Sequence, residues 1–184
     1  MNHLIELKPF TEKDFDGLLQ EIDSQRLMMQ WSGRAYKFPL TKNQLQEYLE
    51  MEHKKGSYIL KAVDTVTAET VGHIALREID RDHEVGRISY VLVYKNHRGK
   101  GIANKMFEHI LHLAFHDLKL NRVSLGVFDF NKPAIACYEN FGFQKEGLQR
   151  QVCKIGDEYW NNIEMSLLKS EWEQRLVQLE ESVS

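Results

Sequence analysis

The stretch Val91-Leu92-Val93-Tyr94-Lys95-Asn96-His97-Arg98-Gly99-Lys100-Gly101-Ile102-Ala103 decides the fold. An apolar run with strand character enters a short basic loop with two glycines, and a helical pattern starts directly after it. Ile102, Met106, Phe107, Ile110, Ala114 and Leu118 form one wide apolar face, which predicts a helix over 99–118. The first N–H groups of a helix have no internal partner, and the helix dipole is positive there. Gly99, Gly101 and Ala103 keep side chains small, so an anion can approach the backbone. Lys95, Arg98, Lys100 and Lys105 add positive charge. Two readings fit this loop: a phosphate or pyrophosphate cradle, and a plain strand-to-helix turn with solvated charges. A Walker loop is excluded, because Gly-x-x-x-x-Gly-Lys-Ser/Thr is missing. The dinucleotide pattern is missing too, since Asn104 stands where its third glycine belongs.

Working outward, Tyr58–Val63, Val71–Ile79 and Val85–Tyr94 read as three strands of an antiparallel meander. Before them, Phe15, Leu18, Leu19 and Ile22 have helical spacing over 11–22. Residues 25–39 read as irregular. A second helix opens at Thr41 with Gln44 three residues on, and ends near Gly56. After the long helix come a strand at Arg122–Phe130 and a helix capped by Asn131 that stops at Gly142. Phe143–Val152 and Glu158–Leu168 form a hairpin, and Ser170 with Glu173 opens a last helix to about Glu181. One βαβ unit joined to antiparallel strands predicts an α/β (α+β) mixed sheet flanked by helices.

With 184 residues, no internal repeat and no Gly/Ser-rich linker, the chain 1–184 reads as one domain. A hydrophobic content of 42% and a net charge of −3 argue against disorder. The weak net charge leaves no footprint for nucleic acid, and the apolar runs are too short to span a membrane. The N-terminal residues carry Glu6 and Lys8 and lack a signal-peptide core, so the expected compartment is the cytoplasm. Cys137 and Cys153 lack metal spacing and read as free thiols, and no metal is expected.

A second informative stretch is Asn131-Lys132-Pro133-Ala134-Ile135-Ala136-Cys137-Tyr138, followed by Gly142-Phe143. Seven residues separate Asn131 from Tyr138, almost two helical turns, so both project to one side. An N-cap Asn with a half-buried Tyr explains this; so does an Asn that binds a ligand beside a Tyr that donates a proton. Together the two stretches resemble the GNAT superfamily of acyl-CoA-dependent N-acetyltransferases. The family loop Arg/Gln-x-x-Gly-x-Gly/Ala is matched by Arg98, Gly101 and Ala103. The family pattern Asn-x-x-Ala-x-x-x-Tyr ahead of Gly-Phe is matched by Asn131, Ala134, Tyr138, Gly142 and Phe143. The resemblance covers most of the chain from Tyr58 to Leu168. Trp160-Asn161 and Met165-Ser166-Leu167-Leu168 are similar to the branch that contains ribosomal-protein N-terminal acetyltransferases.

The resemblance implies a mostly antiparallel sheet splayed in a V between Val85–Tyr94 and Arg122–Phe130. It implies acetyl-CoA as co-substrate, with its arm against the backbone of Val91, Leu92 and Val93. The pyrophosphate would lie on Arg98, Gly99, Lys100, Gly101, Ile102 and Ala103, and Asn131 would touch the arm. Direct attack by a neutral amine is implied, with Tyr138 protonating the departing thiolate. Some family members place a basic Glu five residues before the motif Asn; here that position is Gly126. Glu78 is the candidate base, with Asp80, Asp129, His73 or a chain of waters as alternatives. The acceptor is a primary amine, on a small molecule or a protein N-terminus. The acidic net charge suits a cationic amine, polyamine or aminoglycoside without choosing among them. The rival reading is a non-catalytic acyl-CoA sensor or regulatory module. Trp31 is the candidate acceptor-side residue, packing over the sheet being the other reading. His109, His112 and His116 share a face that reads as solvated rather than metal-binding, and Cys137 as a small buried residue rather than a nucleophile. Trp172, Leu176, Leu179 and Val183 form a last stripe that either packs on its own domain or supports a homodimer.

Overall fold

Alternation of apolar side chains builds the sheet. In a computed structural model, which describes residues 4–181, the strands are β1 (Ile5–Pro9), β2 (Tyr58–Asp64), β3 (Thr70–Asp80), β4 (Val85–Val93), β5 (Arg122–Phe128), β6 (Gln144–Ile155) and β7 (Glu158–Leu168). They form one sheet in the order β1-β2-β3-β4-β5-β7-β6. Every neighbouring pair is antiparallel except β4 with β5. Successive side chains point to opposite faces, so on β3 Ile74 and Leu76 enter one apolar cluster and Ala75 the other. The first cluster is covered by α4 (Ile102–Leu111) and α5 (Lys132–Asn140) through Ile102, Met106, Phe107, Ile110, Ile135 and Tyr138. The second is covered by α1 (Phe15–Glu21), α2 (Gln25–Ser32) and α3 (Lys42–Lys54) through Phe15, Leu18, Met28, Trp31, Leu45 and Tyr48. α6 (Lys169–Glu181) seats Trp172 against Phe115, with ring centroids 5.4 Å apart.

The predicted splay is visible in the strand register. β4 meets β5 only through Val85↔Arg122, Gly86↔Val123 and Arg87↔Ser124. Beyond those pairs β4 stays with β3 as far as Val93, and β5 stays with β7 as far as Phe128. The two strands therefore diverge and leave a gap in the ladder. α2 ties the two halves together across it. Arg26 bonds Glu158 at 2.8 Å and lies 4.9 Å from the centroid of the Trp160 ring. Met29 packs on Phe128, Cys153, Ile155 and Trp160.

Several elements differ from the sequence reading. Residues 25–32 are helical, not irregular: the Ser24 hydroxyl accepts from the Leu27 N–H, and Met28 and Trp31 bury one face. β1 went unpredicted because it is a five-residue edge strand with Glu6 and Lys8 outward, ending at Pro9. The long helix starts at Ile102 and passes into a π-helical turn over His112–Asp117. The expected Ser170–Glu173 capping box is displaced by Glu171, whose carboxylate accepts from the Leu168 N–H at 2.9 Å. Leu176 and Leu179 are exposed, and Val183 lies outside the described residues.

Candidate active site

The gap between β4 and β5 opens into two adjoining cavities of about 610 and 620 Å³. Gln30, Trp31, Val91, Asn131 and Tyr138 line both, so they meet at those five side chains. The smaller cavity is lined by Val91, Leu92, Val93, Arg98, Gly99, Gly101, Ile102, Ala103 and Asn131. Lys100, expected among them, is exposed on the turn and does not line it. Gly99 and Gly101 have φ of +74° and +76°. An added Cβ at either would meet nothing within 4 Å, so glycine is needed for the backbone conformation and not for space. Gly101 turns the chain into α4, whose first N–H groups then face the loop without intrahelical partners. Arg98 Nε donates to the Val93 carbonyl at 3.0 Å, pinning the loop to the end of β4. Left-handed glycines, orphan N–H groups and a guanidinium in one place fit a pyrophosphate.

A bulge in β4 shapes the junction. His73 and Ala75 pair with Leu92 and Ser89, which puts one extra residue in β4, and Tyr90 has φ +55°. The Tyr90 carbonyl accepts from Trp31 Nε1 at 3.1 Å and from His73 Nδ1 at 2.9 Å. A carbonyl only accepts, so His73 carries its proton on Nδ1. His73 is fully buried, its Nε2 has no partner, and desolvation pulls its pKa down to about 4. Asn131 Oδ1 caps α5 by accepting from the Ala134 N–H, which leaves its amide NH2 for a ligand. Tyr138 packs against Phe107 with centroids 5.0 Å apart, and its hydroxyl bonds no described residue. Burial pushes its pKa up, so the hydroxyl keeps its proton at neutral pH.

The larger cavity holds Tyr36, Glu52, Arg77, Glu78, Arg87, Tyr90 and Asn162. Glu52 is buried, accepts from Ser57 Oγ at 2.7 Å and lies 3.7 Å from Arg77 Nε. Arg77 also donates to the Tyr90 hydroxyl and to Glu78, each at 2.8 Å. Arg87 forms a two-pronged pair with Glu164 at 2.8 and 3.0 Å. A Cβ on Gly126 would come within 2.8 Å of Arg87 Nη2 and 2.9 Å of Asn162 Oδ1. The space beside Gly126 is thus filled by a guanidinium and an amide, and its register partner Glu164 is held by Arg87.

Among the candidate bases, Glu78 lines this cavity, beside a register shift in β3 and with φ +52°. Asp80 is occupied by the N–H groups of Asp82 and His83, and Asp129 by Asn161. Neither of these lines either of the two cavities, and nor does His73. Cys137 does line the smaller one, but its thiol donates to Asn104 Oδ1 and desolvation pushes its pKa up to about 11. At neutral pH it is a thiol, not the thiolate a nucleophile requires. His109, His112 and His116 are all exposed; His112 and His116 stack at 4.4 Å beside Asp117.

Sequence reasoning missed Glu52, Arg77, Arg87, Tyr90 and Glu164. Glu52 had a readable signal, because it extends the buried Leu45, Tyr48, Leu49 stripe of α3. The others are paired across distant strands and leave no local pattern.

Residues 5–144 match the family described as the acetyltransferase (GNAT) domain. The chain belongs to that family and is an N-acetyltransferase, moving an acetyl group from acetyl-CoA to an amine. It is 31% identical over 137 residues to the SPbeta prophage-derived uncharacterized N-acetyltransferase YokL of Bacillus subtilis (strain 168), covering 74% of this chain and 76% of that one. It is 32% identical over 102 residues to the putative ribosomal N-acetyltransferase YdaF of the same organism, covering 55% of each. Spermidine N-acetyltransferase from Vibrio cholerae, solved in complex with CoA and spermine, shares the fold with a TM-score of 0.81 at 22% identity. That match covers 91% of this chain and 97% of the other. Among the described residues no helix is long and apolar enough to cross a membrane.

Proposed function

We propose that the smaller cavity binds acetyl-CoA, the larger one binds a primary amine, and the acetyl group passes between them at Tyr138 and Val91. The shared lining of the two cavities carries this reading, because it sets a proton donor and an exposed strand edge where donor and acceptor must touch. Acetyl-CoA supplies an activated thioester. The pyrophosphate lies on the Arg98–Ala103 loop and α4 N-terminus, and the pantetheine arm runs along Val91–Val93 beside Asn131. The amine nitrogen forms a bond to the carbonyl carbon as the carbon–sulfur bond breaks. Tyr138 gives its proton to sulfur as charge develops there and is reprotonated by the proton that the acylated nitrogen sheds, so that the phenolate, which burial disfavours, does not persist. The Val91 N–H polarises the thioester carbonyl. An ammonium must lose a proton before attack, and Glu78 takes it, held in place by Arg77. Trp31 walls the junction and bonds the bulge through Nε1. The two free thiols support a reducing compartment, the cytoplasm.

The test is Tyr138→Phe, which keeps the ring and removes one oxygen. Turnover falls roughly 10²-fold or more, in the range of general acid catalysis, while calorimetric acetyl-CoA affinity stays within about twofold of wild type. Undiminished turnover in a folded variant removes Tyr138 from the chemistry.

A further inference from the structure

The chain as a whole is acidic, with a net charge of −3. The larger cavity is not. Four cations line it, Arg34, Lys55, Arg77 and Arg87, against two carboxylates, Glu52 and Glu78. Counting Glu164, which holds Arg87 from behind, still leaves a surplus of one positive charge. The pairing inside the cavity is uneven. Arg87 is paired with Glu164 through both Nη atoms, and Arg77 is engaged by Glu52, Glu78 and the Tyr90 hydroxyl. Lys55 is 3.5 Å from Glu52. Arg34, in the loop between α2 and α3, makes no ion pair or hydrogen bond among the described residues. A guanidinium presents a planar fork of donors that matches a carboxylate or phosphate.

From this distribution we infer that the acceptor is a primary amine that also carries an anionic group, and that Arg34 receives that group. The inference rests on the larger cavity being the acceptor site. An amine with a carboxylate or phosphate enters with little net charge and meets the one unengaged cation. A polyamine brings several like charges into a cavity that already has a positive surplus. Arg34 and Lys55 are solvent-exposed, so the repulsion is a short-range one at the cavity wall, where it acts more directly on an entering ammonium than the protein's diffuse negative charge, screened beyond about 10 Å at 0.1 M salt. The floor adds to the preference. The space beside Gly126 holds the Arg87 guanidinium and the Asn162 amide, not a carboxylate.

The test is a panel of acceptors at about 0.1 M salt, where the diffuse charge of the protein is screened, with release of the CoA thiol as the readout. β-Alanine and an acidic tetrapeptide amide with a free N-terminus supply the anionic amines from a small molecule and a peptide. Ethanolamine, spermidine and the same peptide with lysines replacing its glutamates are their counterparts. Wild type favours the anionic member of at least one pair by roughly tenfold in kcat/KM, the worth of one charge-assisted hydrogen bond. Arg34→Glu abolishes or reverses that preference while leaving acetyl-CoA affinity unchanged. Preference for spermidine or the lysine peptide, or a preference indifferent to Arg34→Glu, overturns the inference. Binding of the same amines to the CoA-loaded protein is measured in parallel by calorimetry. Anionic selectivity in binding without any turnover supports the inference and defeats the transfer reading. Turnover without anionic selectivity does the reverse.

Discussion

His73 should make the fold sensitive to mild acid. It is fully buried among Phe10, Trp31 and Tyr48, and its ring centroid lies 4.7, 5.6 and 6.1 Å from theirs. Its Nδ1–H is committed to the Tyr90 carbonyl, and Asp14 is the one charged group that favours its protonation. Desolvation wins over both and brings the pKa to about 4, against 6.5 in the unfolded chain. Between those values the unfolded state takes up a proton that the folded state refuses. Stability is therefore complete above the unfolded value and falls as pH drops from 6.5 toward 4. At about 1.4 kcal/mol per unit the full linkage is about 3 kcal/mol, and about 2 kcal/mol of it is spent by pH 5. The comparison is His73→Asn, whose side-chain amide can still donate to Tyr90 but does not titrate. Urea unfolding followed by tryptophan fluorescence, at pH 7 and pH 5, gives four free energies. Wild type loses about 2 kcal/mol more than the variant on acidification. Equal losses in both proteins refute the assignment, whatever the absolute stabilities.

Gly72→Ala destabilises by about 1–3 kcal/mol, the cost of overpacking, because its Cβ would stand 2.7 Å from the Leu92 carbonyl and 2.9 Å from Met106 Sδ; thermal unfolding reads this directly. Glu52→Ala leaves Arg77 without its buried partner and lowers stability by about 3 kcal/mol. It also loosens Glu78 and Tyr90, so the acceptor KM rises with little change in acetyl-CoA affinity. Gly101→Glu places a carboxylate and a strained left-handed backbone at the α4 N-terminus. Calorimetry on the folded variant shows acetyl-CoA binding lost, and retained binding refutes the anion cradle.

The lining of the smaller cavity, proposed to hold the donor, was legible because it is nearly contiguous. Residues 91–103 are one strand, one loop and one helix start, and Asn131 and Tyr138 are two turns of a single helix. Local rules of dipole, glycine conformation and helical spacing act over that range. The larger cavity, proposed as the acceptor half, draws its lining from seven elements, and its main ion pair joins Arg87 to Glu164 across 77 residues. Nothing local marks such a pair. Gly126 was read as a missing carboxylate. The structure shows that a guanidinium and an amide fill the space beside it, which no neighbouring residue announces. Strands β2 to β4, of 7 to 11 residues, were readable as apolar runs separated by polar turns, with clear alternation in β4. β1 and α2 are short, with five and eight residues, and tertiary packing rather than periodicity defines them.

Three residue pairs are all that join β4 to β5. The sheet is two plates whose backbones join only along that short seam, held besides by the apolar core that both feed under α4 and α5 and by the stay of α2. The inner edge of each plate carries backbone donors and acceptors that no strand answers. In the proposed binding mode a pantetheine arm, with its two amides, would act there as a removable rung. Loading the donor would then bridge the gap in the ladder, so that the sheet would run unbroken only while the protein holds its own reagent.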